Sequence, residues 1–384
     1  IGTKLHAIFA NRNTVQSLTI DPLTVSNVDL GSDMKTVEFQ NVNNVSLVFD
    51  PSTGYLHGAW SSTNSIYPNS FNIRYAKSFD EGNTWGSVQE ITQSNTTGYD
   101  NKNPCLVISN GKPIILYQLR TPVLGVIYAS MPDATGAEPK HVIVYNAGNY
   151  TQNEPVGVID KNGELHVVWY GGNSTNTVDN IFYSKSTDDG NTWSPAVSLT
   201  NEAKPQRFPS ITTDKLGNLF VVWAGVTNTS NNALGIRSIN CKLGVWGTIT
   251  NITESPGINK TYPSTLLDPT IEIIEPIFIY TDYKNNKVGF YGTWKEPKST
   301  PILENDVRFK TDDTTRIAMW IEHDLDLNVT GQWNGVDLQK SVDGTETQLK
   351  TDPVQKQPSE VKLTMKRNTV DDDLKVTRIL GGIA

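Results

Sequence analysis

The sequence predicts an all-β chain: a six-bladed β-propeller over residues 1–297, then a small β-rich, sandwich-like module over 298–384. Three observations carry this expectation. A unit of roughly 50 residues recurs along the first three quarters of the chain, and fixed periods of that size mark propeller blades. Within each unit, short runs of β-branched and aromatic residues alternate with turn residues. No segment repeats its apolar residues at the 3.6-residue period of an amphipathic helix.

The units align on a strand, an Asp, a turn Gly, and a second strand that ends in an aromatic. The copies read NVSLVFDPSTGYLHGAW from Asn44, NPCLVISNGKPIILY from Asn103, EPVGVIDKNGELHVVW from Glu154, FPSITTDKLGNLFVVW from Phe208 and YPSTLLDPTIEIIEPIFIY from Tyr262. Pro104, Pro155, Pro209 and Pro263 share one position, which Val45 fills in the first of these copies. Five residues later stand Asp50, Ser109, Asp160, Asp214 and Asp268. The aromatics Trp60, Tyr117, Trp169 and Trp223 close the second strands. The N-terminus enters mid-repeat. Leu5-His6 matches Leu56-His57 and Leu165-His166, which sets Phe9 at the aromatic position. His6, His57 and His166 thus repeat at one strand position and read as scaffold.

A third strand follows in each unit, as NIRYAKS, GVIYAS, NIFYSKS, LGIRSIN and KVGFYGTW. After it, at the turn into a fourth strand, one octapeptide pattern occurs twice: SFDEGNTW at 78–85 and STDDGNTW at 186–193. Gly82 and Gly190 suit positive φ. Asp80 and Asp188 can accept hydrogen bonds from turn amides. Trp85 and Trp193 can fold back between sheets.

This S-x-D-x-G-x-T-W pattern resembles the Asp-box, or BNR repeat, of sialidase-like propellers. The resemblance covers about residues 1–297. It implies that Ser78, Asp80, Gly82, Thr84, Trp85, Ser186, Asp188, Gly190, Thr192 and Trp193 are fold residues, on the face opposite a ligand site. The N-terminal Phe/Tyr-Arg-Ile-Pro motif of sialidases has no counterpart here; the nearest stretches read ANRN and QLRT.

A ligand would then meet the other rim. Arg12 and Arg120 both stand three residues beyond a strand-end aromatic, and Tyr283 holds that offset in the last unit. Arg207 precedes a first strand, and Glu154, Asp100 and Tyr262 lie on similar approaches. Converging arginines suit a carboxylate. A Tyr or Glu nucleophile with an Asp acid/base would suit glycoside hydrolysis.

Composition narrows the partners. A net charge of −8 offers no basic stripe for nucleic acid. No apolar run reaches the roughly 20 residues of a membrane span. Cys105 and Cys241 read as two free thiols. No Cys/His cluster has zinc spacing, and no metal or cofactor is expected. Sequons begin at Asn44, Asn95, Asn149, Asn173, Asn228, Asn251, Asn259 and Asn328, as in an extracellular glycoprotein.

After KEPKSTP (295–301) the blade pattern stops and the chain stays β-rich. A strand from 303–323 is the expected partner for the open edge of the first blade. Two functions fit these features. The first is an extracellular, cell-surface or virion-surface protein that binds a glycan or protein through its propeller and assembles through its C-terminal module. The second is an exo-glycosidase of sialidase type acting on terminal acidic sugars.

Overall fold

A computed structural model describes residues 5–11, 14–20, 35–38, 41–122, 125–132, 139–227, 233–253, 259–265, 278–282, 287–291, 304–314, 317–323, 327–333, 336–343, 346–350, 357–367 and 376–383. The fold is all-β; every regular element among the described residues is a strand. No helix there is long and apolar enough to cross a membrane. The chain divides into two compact units, Ile1–Leu219 and Phe220–Ala384. The boundary expected after residue 297 lies outside the described residues.

The first unit is a series of antiparallel meanders. The first sheet holds Leu5–Asn11, Thr14–Ile20 and Lys35–Glu38 in sequential order. The second holds Val42–Asp50, Tyr55–Ser62, Asn72–Ser78 and Gln89–Glu90. The third holds Asp100–Ser109, Lys112–Arg120, Gly125–Met131 and Lys140–Asn146. The fourth holds Gln152–Ile159, Leu165–Gly171, Asn180–Ser186 and Val197–Ser198. The third strands of the second and fourth sheets coincide with the NIRYAKS and NIFYSKS segments.

Successive sheets pack face to face. The first strand of each runs beside the first strand of the next, from Val42–Asp50 through Asp100–Ser109 and Gln152–Ile159 to Gln206–Thr213. That is the adjacency of propeller blades. Each interface is an apolar core. Trp60 packs with Val15, Val42 and Ala76 between the first two sheets. Ala59, Ile73, Leu106, Ile115 and Tyr117 fill the next interface. Trp169, Phe182, Ile114, Leu116 and Ile127 fill the third. The rings of Trp60 and Trp169 are fully buried.

The repeated Asp residues organise the hairpins. Asp160 Oδ1 accepts the amides of Asn162 and Glu164, both at 2.9 Å. Asp214 does the same for Leu216 and Asn218. Where Ser109 replaces the Asp, the turn shortens to Asn110-Gly111, both at positive φ. An Asn-Gly pair is the residue choice for such a two-residue hairpin.

The two octapeptides share the hydrogen bonds of their Ser, Asp, Gly and Thr residues. Gly82 N donates to Ser78 Oγ at 2.8 Å and Gly190 N to Ser186 Oγ at 2.9 Å. Thr84 N and Thr192 N each donate to the Asp Oδ1 at 2.8 Å. Thr84 Oγ1 and Thr192 Oγ1 donate to Oδ2 at 2.6 and 2.7 Å. These hydrogen bonds, led by the threonine hydroxyls, hold both carboxyls below the usual Asp range. Each turn also docks on the preceding sheet. Glu81 O and Gly82 O accept the hydroxyls of Thr19 and Ser17. Trp85 Nε1 donates to Ser17 Oγ at 2.8 Å. Asp189 Oδ1 accepts Ser109 Oγ at 2.6 Å and Asn110 Nδ2 at 2.8 Å.

In the second unit, Lys260–Thr265, Phe278–Asp282 and Lys287–Tyr291 open a seven-stranded sheet. It continues through Val376–Ile383, Ile317–His323, Glu346–Lys350 and Gln339–Asp343. Phe290 pairs with Ile379, so the chain's last strand joins the last repeat directly. Glu304–Thr314, Gln357–Arg367, Leu327–Trp333 and Val336–Asp337 form another sheet. Within the segment expected to close the first blade, 303–323, Glu304–Thr314 pairs with Gln357–Arg367, and Ile317–His323 pairs with Glu346–Lys350 and Val376–Ile383. Among the described residues the first sheet keeps three strands. Cys105 and Cys241 are free thiols.

Trp169→Ala is expected to destabilise by about 3–5 kcal/mol, as buried aromatic truncations do. Trp193 is only partly buried, so Trp193→Ala is expected to cost roughly 2–3 kcal/mol. Urea unfolding midpoints of both variants check the order; equal, wild-type-like midpoints would contradict the packing roles.

Candidate functional site

The first strands carry an irregularity that the sequence marks only by an aligned proline. Ladder register shifts between Lys102 and Cys105 and between Asn153 and Val156. The residue before each proline takes a left-handed backbone: Asn103 at φ 53°, Glu154 at 49° and Phe208 at 56°. A residue preceding proline is disfavoured in the right-handed α region, and a bulge re-aims its side chain. Holding Glu or Phe at positive φ costs of order 1–3 kcal/mol and is found where geometry matters. Tyr262, before Pro263, has φ 49° in the second unit and is half exposed.

These bulges bring side chains from neighbouring sheets together. Gln118 follows the strand-end aromatic Tyr117 and is buried. Its Oε1 accepts Glu154 N at 2.8 Å and Asn103 Nδ2 at 2.9 Å. Tyr170 holds the equivalent position after Trp169. Its ring meets Phe208 edge-on, centroids 5.7 Å apart, and its hydroxyl bonds the Glu154 carboxyl. Arg207 Nε donates to Asp179 Oδ2 at 2.6 Å.

Glu154 is the unusual group. Burial pushes its carboxyl up to about 7, against the opposing pull of the Tyr170 hydrogen bond and the Arg207 charge. Desolvation outweighs a nearby cation because Arg207 is already neutralised by Asp179. Near neutral pH this side chain divides between a proton donor and an anion. It therefore has the protonation behaviour of a general acid.

The other expected residues fall as follows. Asp100 is tied to structure: it accepts Phe71 N at 3.0 Å and pairs with Lys102 at 2.8 Å. Arg120 is exposed at the end of its strand. Arg12 and Tyr283 lie outside the described residues. Arg207, 43% exposed, donates from Nε to Asp179. Gln118, Tyr170, Asp179, Asn103 and Phe208 were not singled out by sequence reasoning. The available signals were the residue after each strand-end aromatic and the residue before each aligned proline.

Two cavities of the first unit lie elsewhere. One, of about 520 Å³, is lined by Asp50, His57, Tyr75 and Lys77 on the octapeptide side. The other, of about 470 Å³, is lined by Tyr99, Asn101, Tyr128 and His141. Neither includes Glu154. The convergence of a raised carboxyl, amides and aromatic rings, rather than concavity, marks the Glu154 group as the candidate site. Among the described residues Glu154 has no set of metal-ligating neighbours.

No family model matches the chain, and no curated protein matches it. Among solved structures the chain is similar to the α-L-arabinanase of Penicillium chrysogenum complexed with arabinobiose. The TM-score is 0.49 at 15% identity, covering 65% of this chain and 77% of that one. It is also similar to the GH93 α-L-arabinofuranosidase of Fusarium graminearum complexed with arabinobiose, with a TM-score of 0.45 at 14% identity over 65% and 77%. A third is the endo-arabinase of Bacteroides thetaiotaomicron, with a TM-score of 0.44 at 12% identity over 66% and 95%.

Glu154 ties stability to pH. Its folded value of about 7 exceeds the ordinary 4.5, so the native state keeps a proton that the unfolded state releases between those values. Stability from the neutral acid is complete below pH 4.5 and declines as pH rises through 7. Glu154→Gln should gain on wild type across that window by roughly 2–3 kcal/mol. Denaturant unfolding at pH 4.5 and pH 8 checks this; a constant difference would contradict the buried-acid assignment.

Proposed function

We propose that this chain acts on glycans and cleaves a glycosidic bond, with Glu154 as the proton donor. The observation that carries the reading is the half-buried Glu154 carboxyl, held up to about 7 beside Tyr170 and the Arg207–Asp179 pair. A glycosidase needs one carboxyl that stays protonated near neutrality to protonate the leaving oxygen. It also needs an anionic carboxylate to support the cationic sugar in the transition state. Asp179 shares Arg207 with Glu154 and supplies the second group. Tyr170 and Phe208 offer ring faces and edges for a sugar.

The site favours a neutral sugar over an acidic one. Arg207 Nε already donates to Asp179, which offsets the positive charge that a sugar carboxylate would meet. Asn95, Asn149, Asn251 and Asn259 of the sequons are exposed, which supports an extracellular setting. The Asn44 Oδ1 is buried, which disfavours that position for a glycan. Assembly through the C-terminal strands belongs to the same proposal.

Wild type and Glu154→Gln would be assayed on fluorogenic pentosides, hexosides and a sialoside. The expected result is hydrolysis of a neutral glycoside that falls above about pH 7, with a 10²- to 10⁴-fold loss in Glu154→Gln and binding retained. Hydrolysis unchanged in the variant removes Glu154 from the chemistry. Binding without hydrolysis by wild type returns the chain to the glycan-binding reading.

A further inference from the structure

We propose that Asp160, Glu164 and His166 form a site for one divalent transition-metal ion of the Zn²⁺ type, at the hairpin corner of the fourth sheet. It stands apart from the Glu154 group. Asp160 is six residues further along the chain, about 20 Å at strand rise. The proposal does not depend on the function assigned to Glu154.

The donor atoms of the three side chains all lie within 4.8 Å of one another. Local structure puts them there. Asp160 is fixed by the two turn amides on Oδ1 and by Asn162 Nδ2 on Oδ2 at 3.0 Å. Glu164 and His166 are two residues apart where the second strand begins, so they share a face. His166 is buried, and its Nδ1 is held by the Tyr183 hydroxyl at 2.8 Å, with the two rings stacked. That contact orients the imidazole, as outer partners of metal-bound histidines do. The other nitrogen, Nε2, is buried and has no hydrogen-bond partner.

Nε2 faces Asp160 Oδ2 across 3.7 Å. The gap is too long for a hydrogen bond. An ion about 2.0–2.2 Å from each atom spans it. Two carboxylates and a neutral imidazole offset a dication. The competitor is Lys185, whose Nζ lies 2.8 Å from Glu164 Oε2 on a side chain that is 40% exposed and free to swing outward.

The repeats show what is particular to this corner. The second sheet has the same Asp–His–Tyr–Lys arrangement in Asp50, His57, Tyr75 and Lys77, but Tyr55 stands in place of Glu164. The next repeat keeps Asp214 and replaces the other two ligands by Asn218 and Phe220. The fourth sheet alone among these three copies supplies all three donors.

The test uses the full chain, stripped with a chelator. ZnCl₂ is titrated by calorimetry and CoCl₂ by visible absorption, with melting temperature read in parallel. The expected result is one saturable ion per chain, a raised melting temperature and a ligand-field band for cobalt. Glu164→Gln, on the partly exposed side of the corner, should bind about tenfold or more weakly, since even outer-partner losses weaken metal sites 10- to 100-fold. His166→Gln should abolish the cobalt band. Lys185→Met should bind more tightly than wild type, the reverse of what a purely structural ion pair would give. No saturable site in wild type, or equal affinity in Glu164→Gln and wild type, overturns the proposal. So does unchanged affinity in Lys185→Met.

Discussion

Each four-stranded sheet of the first unit has two apolar faces, and neither can be left to water. That constraint sets the rest. Sheets must stack, with the first strands side by side and large rings filling the interfaces. Apolar packing alone tolerates sliding. The octapeptide turns limit it, because each places specific carbonyl and carboxylate acceptors against hydroxyl and amide donors of the preceding sheet. One end of the stack is thereby committed to architecture. The proline-linked bulges sit at the opposite ends of the first strands.

The Glu154 group shows how the scaffold raises the proton affinity of one carboxyl. Its backbone strain is tolerated because Gln118 of the neighbouring sheet satisfies the amide. The same arrangement presses the carboxyl into a desolvated setting, where its charged form is disfavoured. Position, strain and proton affinity come from one local event, the insertion of a residue before Pro155. Asp179 offsets the charge of Arg207 beside it, which lessens the cation's stabilisation of the Glu154 anion.

Much of the fold was legible in the sequence, and less of the site. NIRYAKS and NIFYSKS read directly as strands because their pattern is local. The paired octapeptides announced their turns for the same reason. Glu154 and Arg207 were visible as approach residues, but Gln118 was not. It lies 36 residues from Glu154 in sequence, and the contact depends on the register between two sheets. The order of the C-terminal strands was also hidden. Val376–Ile383 sits between Lys287–Tyr291 and Ile317–His323. No local propensity encodes a pairing between strands so distant in the chain. The pairing of Arg207 with Asp179 was equally hidden, because it joins residues 28 apart in sequence.

The short turn at Asn110-Gly111 has a wider meaning. Where other copies spend an aspartate on their own hairpin, the third sheet has Ser109, and that hydroxyl reaches out to Asp189 of its successor. The second sheet's turn is matched instead to Ser17 and Thr19. Similar modules have thus become lock and key to particular neighbours. Their succession is written into the joints, and a chain with two of these modules exchanged would meet at mismatched seams although every module kept its own shape.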